Sequence, residues 1–254
     1  MPIIRDIRLS FLKRKENISS LEVLQLTSSS NYDEELSFFK ETSCITSLYE
    51  RHMPKLRRGY EKGIWIHCVD DISVLNQWEK KYRIFPEYMN VFVEYGSGKD
   101  FPYLLDREKK ELALQIVHTE MKSLAVKCDW DIEVLEKAYN KVLDLDYKNE
   151  LVYIKKSSPN KKYVCNIIYQ HEVAYADMYL EIREYRTRRL IKKERLIREE
   201  DMYKMSNHVS DVAWKLNHKV MLMNDKGNTM WMLTFLEKNE PDNLVWKIER
   251  IDWK

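Results

Sequence analysis

The fold is decided by the stretch VMLMNDKGNTMWMLTF (220–235), together with the segment NEPDNLVWKIERIDW (239–253) that follows it. Apolar side chains recur at every second position on both sides of Gly227, which is the period of a β-strand. Gly227 can take the positive φ that a tight hairpin turn requires. The second segment begins with a polar connection whose proline cannot donate to a strand ladder. The sequence therefore predicts three antiparallel strands over Val220–Trp253.

The chain upstream of this stretch carries the same signal from Asn149 onward. Val152–Ile154 and Tyr163–Tyr169 are apolar runs separated by a Ser-Ser-Pro-Asn turn. Apolar and polar side chains then alternate strictly over Ala174–Arg183, which favours a long strand over a helix. Arg186–Glu200 fits either a helix or a strand, because its apolar residues come in adjacent pairs.

The N-terminal part alternates strands with helices. We predict a strand near residues 3–12 and a helix that begins at Asp33-Glu34-Glu35, because acidic side chains favour the positive end of the helix dipole. Ile64–Val69 and Val91–Tyr95 are compact apolar runs typical of strands. Between them, Asp70-Asp71 can cap a further helix.

Two helices are predicted in the centre of the chain. Apolar residues recur at helical spacing after Asp106 and again after Asp131. The fold class is therefore α+β, with an N-terminal alternating strand/helix region, two central helices and a C-terminal antiparallel sheet. The change of pattern divides the chain into an N-terminal α/β region at 1–104 and a helix pair plus sheet at 105–254, although the two could form one continuous domain.

Composition restricts the function. A net charge of +2 argues against nucleic-acid binding driven by bulk charge, and five glycines leave little material for phosphate-binding loops. The four cysteines are widely spaced and form no Cys-x-x-Cys pair, which is typical of reduced thiols in a cytosol. The first residues contain no signal-peptide core, and no apolar run approaches the length of a membrane span. We therefore expect a soluble, cytoplasmic protein without a membrane partner.

The most one-sided charge lies between residues 129 and 150, where seven acidic side chains face three lysines. The dipole of a predicted helix explains part of this pattern, since acidic residues stabilise its first turn. The functional interpretation is a surface that docks a basic protein, with aromatic side chains as anchors. The predicted partner-binding residues are Asp129, Trp130, Asp131, Glu133, Glu136, Tyr139, Asp144, Asp146 and Tyr147.

The sequence contains no assembled catalytic set, and no metal or cofactor site is predicted. His67-Cys68 lies inside a predicted strand, where neighbouring side chains point to opposite faces, so we expect both to be buried structural residues. Asp70-Asp71 with Glu79 and Lys81 is similar to the acid–acid–lysine set of metal-dependent nucleases. That geometry normally places the second acid and the lysine on a strand, whereas these residues fall on a predicted helix.

A basic region interleaved with tyrosines leaves an RNA-binding module open as a further alternative. Nucleic acid is the less expected partner, because glutamates interrupt the basic run. The region comprises Lys155, Lys156, Lys161, Lys162, Arg186, Arg188, Arg189, Lys192, Lys193, Arg195 and Arg198.

The segments EKKELAL (108–114), CDWD (128–131) and KKSSPNKKY (155–163) resemble uncharacterised bacterial cytoplasmic proteins, some of which are associated with toxin–immunity loci. The resemblance implies an immunity-type role, meaning stoichiometric binding that blocks a toxin, and it carries over no site residue. Elimination and resemblance together predict a non-catalytic protein-binding module, an immunity protein that neutralises a cognate toxin with a basic surface. A metal-dependent nuclease and an RNA-binding module are the alternatives.

Overall fold

A computed structural model describes residues 4, 6–12, 32–56, 61–69, 87–95, 100–236 and 245–251. Contacts divide the chain into two compact units, Met1–Asn149 and Glu150–Lys254. Among the helices that the structure describes, none combines the length and the apolar character that crossing a bilayer requires.

The first unit combines a parallel sheet with helices. Strands β1, β2 and β3 lie side by side in that order and pair in parallel. A single 3₁₀ turn at Phe101–Tyr103 leads into the second helix. The elements are β1 (Ile7–Leu12), α1 (Tyr32–His52), β2 (Gly63–Val69), β3 (Tyr88–Glu94), α2 (Asp106–Cys128) and α3 (Ile132–Asp144).

The two faces of this sheet differ in chemistry because alternate residues of a strand point to opposite sides. One face is apolar: Leu9 and Ile66 are register partners and are fully buried. The ring of Phe11 lies 5.9 Å from that of Phe38, so this face packs on α1. The other face carries polar and aromatic residues of β1, β2 and β3.

Within the described part of the first unit, α1, α2 and α3 pack against one another. Phe38, Ile45 and Leu48 of α1 are buried, whereas Phe39 is half-buried. Helix α2 begins where the Glu108 carboxylate accepts a hydrogen bond from the backbone of Leu105 at 2.7 Å. The contacts group α2 and α3 with the N-terminal strands, whereas the sequence analysis grouped them with the C-terminal sheet.

The described residues of the second unit form two antiparallel sheets of four strands each. One sheet has the order β4-β5-β6-β7 and the other the order β11-β10-β9-β8. The strands are β4 (Asn149–Ser157), β5 (Tyr163–His171), β6 (Ala176–Glu184), β7 (Leu190–Glu199), β8 (Asp211–Leu216), β9 (Lys219–Met223), β10 (Thr229–Leu236) and β11 (Val245–Arg250).

Side chains from both sheets bury one apolar core. Leu180 of β6, Leu222 of β9 and Phe235 of β10 are fully buried members of this cluster. The antiparallel pairing of β9, β10 and β11 confirms the three strands predicted over Val220–Trp253. The stretch Arg186–Glu200, which fits either a helix or a strand by its sequence, contains strand β7 at Leu190–Glu199 and no helix. The helix predicted after Asp70-Asp71 lies outside the described residues.

Candidate partner-binding surface

The predicted surface begins at the turn between α2 and α3. Asp129 ends α2 in the left-handed conformation with φ 55°, which Asp tolerates better than most residues. The backbone N–H of Trp130 donates to the carbonyl of Ala125 at 2.9 Å. Asp131 then caps α3, since its carboxylate accepts a hydrogen bond from the backbone N–H of Glu133 at 2.9 Å. The local sequence therefore places three acidic side chains around one helix end.

These three carboxylates, those of Asp129, Asp131 and Glu133, are exposed. None of them takes part in an ion pair with another residue of the described part of the chain. The N-terminus of α3 contributes about half a positive charge through the helix dipole, which is much less than three carboxylates carry. The helix end therefore presents net negative charge to solvent.

The middle of α3 faces α2. Glu136 forms an ion pair with Lys122 at 2.6 Å, and its carboxylate lies 3.3 Å from Nε2 of His118. Tyr139 stacks on the His118 ring, with the ring centroids 4.3 Å apart. The hydrogen bond from Lys122 lowers the pKa of the Glu136 carboxyl. These contacts direct Glu136 and Tyr139 towards the neighbouring helix.

His118 is the centre of this contact between helices. Its side chain is buried, and Nδ1 lies 3.1 Å from the hydroxyl of Tyr49 on α1. Burial lowers the pKa of His118, an effect that the nearby Glu136 carboxylate partly opposes. Because Nε2 faces that carboxylate, the neutral ring carries its proton on Nε2 and accepts the Tyr49 proton at Nδ1. One side chain thus connects all three helices.

The C-terminal end of α3 is held by Arg107. This guanidinium donates to the carboxylate of Asp146 and lies 4.3 Å from the centroid of the Tyr147 ring. Asp146 and Tyr147 have φ of 50° and 58°, a conformation that is uncommon for a bulky residue such as tyrosine. Hydrogen bonds from Arg107 lower the pKa of Asp146. Tyr147 is only 7% exposed.

The nine predicted residues therefore fall into groups with different surroundings. Of the seven acids between residues 129 and 150, three are engaged in ion pairs, namely Glu136, Asp146 and Glu150. Asp144 is exposed at the far end of α3, about 20 Å from the first group by the rise of a 13-residue helix. The role of all nine residues in partner binding stays a prediction. Most of the exposed, unpaired acids among them lie at the start of α3.

Two apolar side chains beside this acidic group were not predicted as part of the surface. Val126 is 73% exposed and Ile132 is 38% exposed, while Trp130 is half-buried between them in sequence. The helical spacing of apolar residues after Asp131 favours burial of Ile132, but its position in the first turn of α3 leaves it partly exposed. Exposed apolar side chains surrounded by charge are a common composition of protein-binding surfaces.

The other sequence hypotheses involve different parts of the chain. The nuclease residues Asp70-Asp71, Glu79 and Lys81 lie outside the described residues. Within the described ranges, no group of three His, Cys, Asp or Glu side chains could hold a metal ion. In the basic region, Arg198 binds the buried carboxylate of Asp177 through two hydrogen bonds of 2.7 Å, so part of the positive charge is neutralised internally.

The polar face of the parallel sheet contains contacts that no local pattern predicted. His67 and Cys68 are buried on opposite faces of β2, as expected. The His67 ring, however, lies 2.8 Å from the hydroxyl of Ser10 and 3.0 Å from the side-chain oxygen of Asn90. These partners are 57 and 23 positions away in the sequence, so only the pairing of β1, β2 and β3 brings them together.

No protein-family model matches the chain, and no significant match was found among curated proteins or solved structures.

Proposed function

We propose that the protein is a protein-binding module of the immunity type, which neutralises a cognate toxin by docking a basic surface onto the start of α3. The observation that carries this proposal is the group of exposed carboxylates at Asp129, Asp131 and Glu133. Electrostatic attraction between opposite charges steers association and accelerates it by factors of ten to a thousand.

The apolar side chains beside these acids support the same interpretation. Val126 and Ile132 expose apolar surface within a few residues of the carboxylates. In protein interfaces, a desolvated apolar centre supplies most of the affinity, and charges at the rim set the association rate and partner choice. The surface therefore suits a partner that carries lysine or arginine around an apolar contact.

The structure dictates which substitutions test this proposal. Charge reversal at Asp131 would also remove the helix cap, which contributes about 0.5–2 kcal/mol. Asn at position 131 still caps the helix, and Asn at position 129 tolerates the left-handed conformation. The variant D129N/D131N/E133Q therefore removes three charges while it preserves the turn. A matched control, E194Q/E200Q/D225N, removes three exposed charges from the second unit.

The experiment measures binding of the full chain to a purified toxin domain with a basic surface, such as a toxin nuclease domain, at low and high salt. We expect the triple variant to slow association by on the order of tenfold at low ionic strength, with a smaller effect at high salt because mobile ions screen the charges. The control variant should associate like the wild type. Equal rates and affinities for the wild type and the first variant would exclude this surface.

A further inference from the structure

The polar face of the parallel sheet brings together a hydroxyl, an imidazole and an amide from three strands. Ser10 of β1 pairs in register with His67 of β2, and Asn90 of β3 lies on the same face two residues before the register partner of His67. The hydrogen bonds measure 2.8 Å between Ser10 Oγ and His67 Nδ1, and 3.0 Å between His67 Nε2 and Asn90 Oδ1.

The direction of each hydrogen bond follows from the orientation of the amide. The Asn90 Nδ2 group donates to the backbone carbonyl of Tyr88 at 3.3 Å, so Oδ1 is the atom that faces the imidazole. An oxygen can only accept, so His67 carries its proton on Nε2. Nδ1 is then an acceptor, and the Ser10 hydroxyl must donate to it. This is the arrangement in which a histidine activates a serine oxygen.

The imidazole is also held in its plane. Trp65 stacks on the His67 ring with the ring centroids 5.1 Å apart, and Phe92 stacks on the same ring with the centroids 4.9 Å apart. Burial lowers the pKa of His67, and the ring is therefore neutral and able to take up a proton at pH 7. A base that is oriented before the reaction needs little reorganisation when the proton moves.

The geometry points to a nucleophilic site in which Ser10 attacks the acyl carbon of a carboxylic ester, His67 takes the Ser10 proton and Asn90 positions the imidazole. Such an activity goes beyond the proposed binding function and does not depend on it. Ser10, His67 and Asn90 belong to the parallel sheet, whereas the proposed binding surface lies at the start of α3.

The reaction is balanced without a cofactor. The Ser10 oxygen forms a bond to the acyl carbon as the ester C–O bond breaks, and the Ser10 proton passes through Nδ1 to the departing alkoxide. Water then gives a proton to Nδ1 as its oxygen attacks the acyl group, and the Ser10 oxygen leaves and recovers that proton. A neutral amide stabilises the imidazolium less than a carboxylate would, so covalent capture is a more sensitive test than turnover.

The site favours slender acyl groups. Ser10 and His67 are 7% and 8% exposed, so their reactive atoms are recessed. Arg8, Asn90 and Phe92 are only half-buried and form the more accessible rim of the same face. The Arg8 guanidinium is paired with Asp6, at 2.8 Å from Nε to the carboxylate, and this pairing leaves the rim close to neutral.

The test uses the full chain and a short alkyl fluorophosphonate, in which phosphorus bonds to the serine oxygen and fluoride leaves. Mass spectrometry should locate the added group on Ser10. Ser43, a comparably buried serine that donates to the carbonyl of Lys40 at 2.6 Å, serves as an internal control and should remain unmodified. The variant S10A should lose the modification, and H67Q should react at least tenfold more slowly, since general-base assistance typically contributes a hundredfold or more.

The role of Asn90 has its own readout. A carboxylate at this position would favour the imidazolium, so N90D should move the pH midpoint of labelling to a higher value than in the wild type. The described charged or titratable groups that share this face are Asp6, Arg8, Tyr88 and Glu94, and all of them are retained in that variant. The proposal is overturned if Ser10 in the wild type reacts no faster than Ser43, or if folded H67Q reacts at the wild-type rate. Should H67Q fail to fold, the comparison of Ser10 with Ser43 in the wild type decides.

Discussion

Replacing Tyr49 with phenylalanine tests whether the buried histidine holds the three helices of the first unit together. Tyr49 is fully buried, and its hydroxyl lies 3.1 Å from Nδ1 of His118 and 3.5 Å from the carbonyl of Leu135. The hydroxyl has one proton, and it donates this proton to the nearer acceptor, Nδ1 of His118. The substitution removes this hydrogen bond and changes no apolar contact.

The expected loss of stability follows from what remains after the substitution. A hydrogen bond contributes about 0.5–1.5 kcal/mol net, and a buried acceptor that loses its donor costs about 1–3 kcal/mol. His118 is 9% exposed, so water can reach Nδ1 only in part, and a total of about 2 kcal/mol is expected. In Y49F, the equilibrium constant for opening of the helix packing should therefore rise by about 30-fold, since 1.36 kcal/mol corresponds to a factor of ten.

Hydrogen exchange of the full chain, followed by mass spectrometry on peptides from α1, α2 and α3, measures this opening directly. The matched control is Y139F: Tyr139 stacks on the same histidine, but its hydroxyl makes no hydrogen bond to another described residue. Exchange in Y139F should stay close to that of the wild type. If Y49F and Y139F exchange alike, the Tyr49–His118 contact does not stabilise the helix packing.

Three further outcomes follow from other contacts. Burial lowers the pKa of His118 from 6.5 in the folded chain, so the contribution of its neutral ring to stability is complete above pH 6.5. This contribution is lost as the pH falls through the pKa of the folded state. Urea unfolding between pH 7 and pH 5 should therefore show a smaller loss of stability for H118Q than for the wild type. At Gly63, an added Cβ would lie 2.6 Å from the carbonyl oxygen of Asp6, and G63A should lower the free energy of unfolding by about 1–3 kcal/mol. Arg198 lowers the pKa of Asp177 from 3.8, so D177N should be less stable than the wild type at pH 7, and urea unfolding should show the gap closing as the pH falls below 3.8.

The strands of the second unit could be predicted because their signal is local. Within Val220–Trp253, successive side chains of each strand point to opposite faces of the sheet, so the alternation of side chains can be seen in the sequence itself. Strand β7 was ambiguous because both faces of Leu190–Glu199 are partly exposed, so apolar and charged side chains do not separate cleanly. Its assignment required the neighbouring strand β6, with which it pairs.

The number of unpaired carboxylates in the acidic region was harder to predict. A count of charges along the sequence ignores basic side chains that are distant in the sequence but lie close to these carboxylates in the fold. Arg107 lies 39 positions from Asp146, and Lys193 lies 43 positions from Glu150. Lys122, on the preceding helix, neutralises Glu136. Only packing shows which carboxylates are paired within the chain, and three of the unpaired ones lie together at the start of α3.

Under the proposed binding function, the way in which α3 is held matters as much as its charge. Helix α3 is fixed at its start by the Asp131 cap, in its middle by His118 and at its end by Arg107. A helix held at three points presents its exposed side chains in one orientation before any partner arrives. The entropic cost of association is then largely confined to the side chains themselves, at about 0.5–1.5 kcal/mol for each one that is immobilised. In the proposed docking, neither the helix nor the turn before it would have to be ordered on binding, and this favours rapid, specific association.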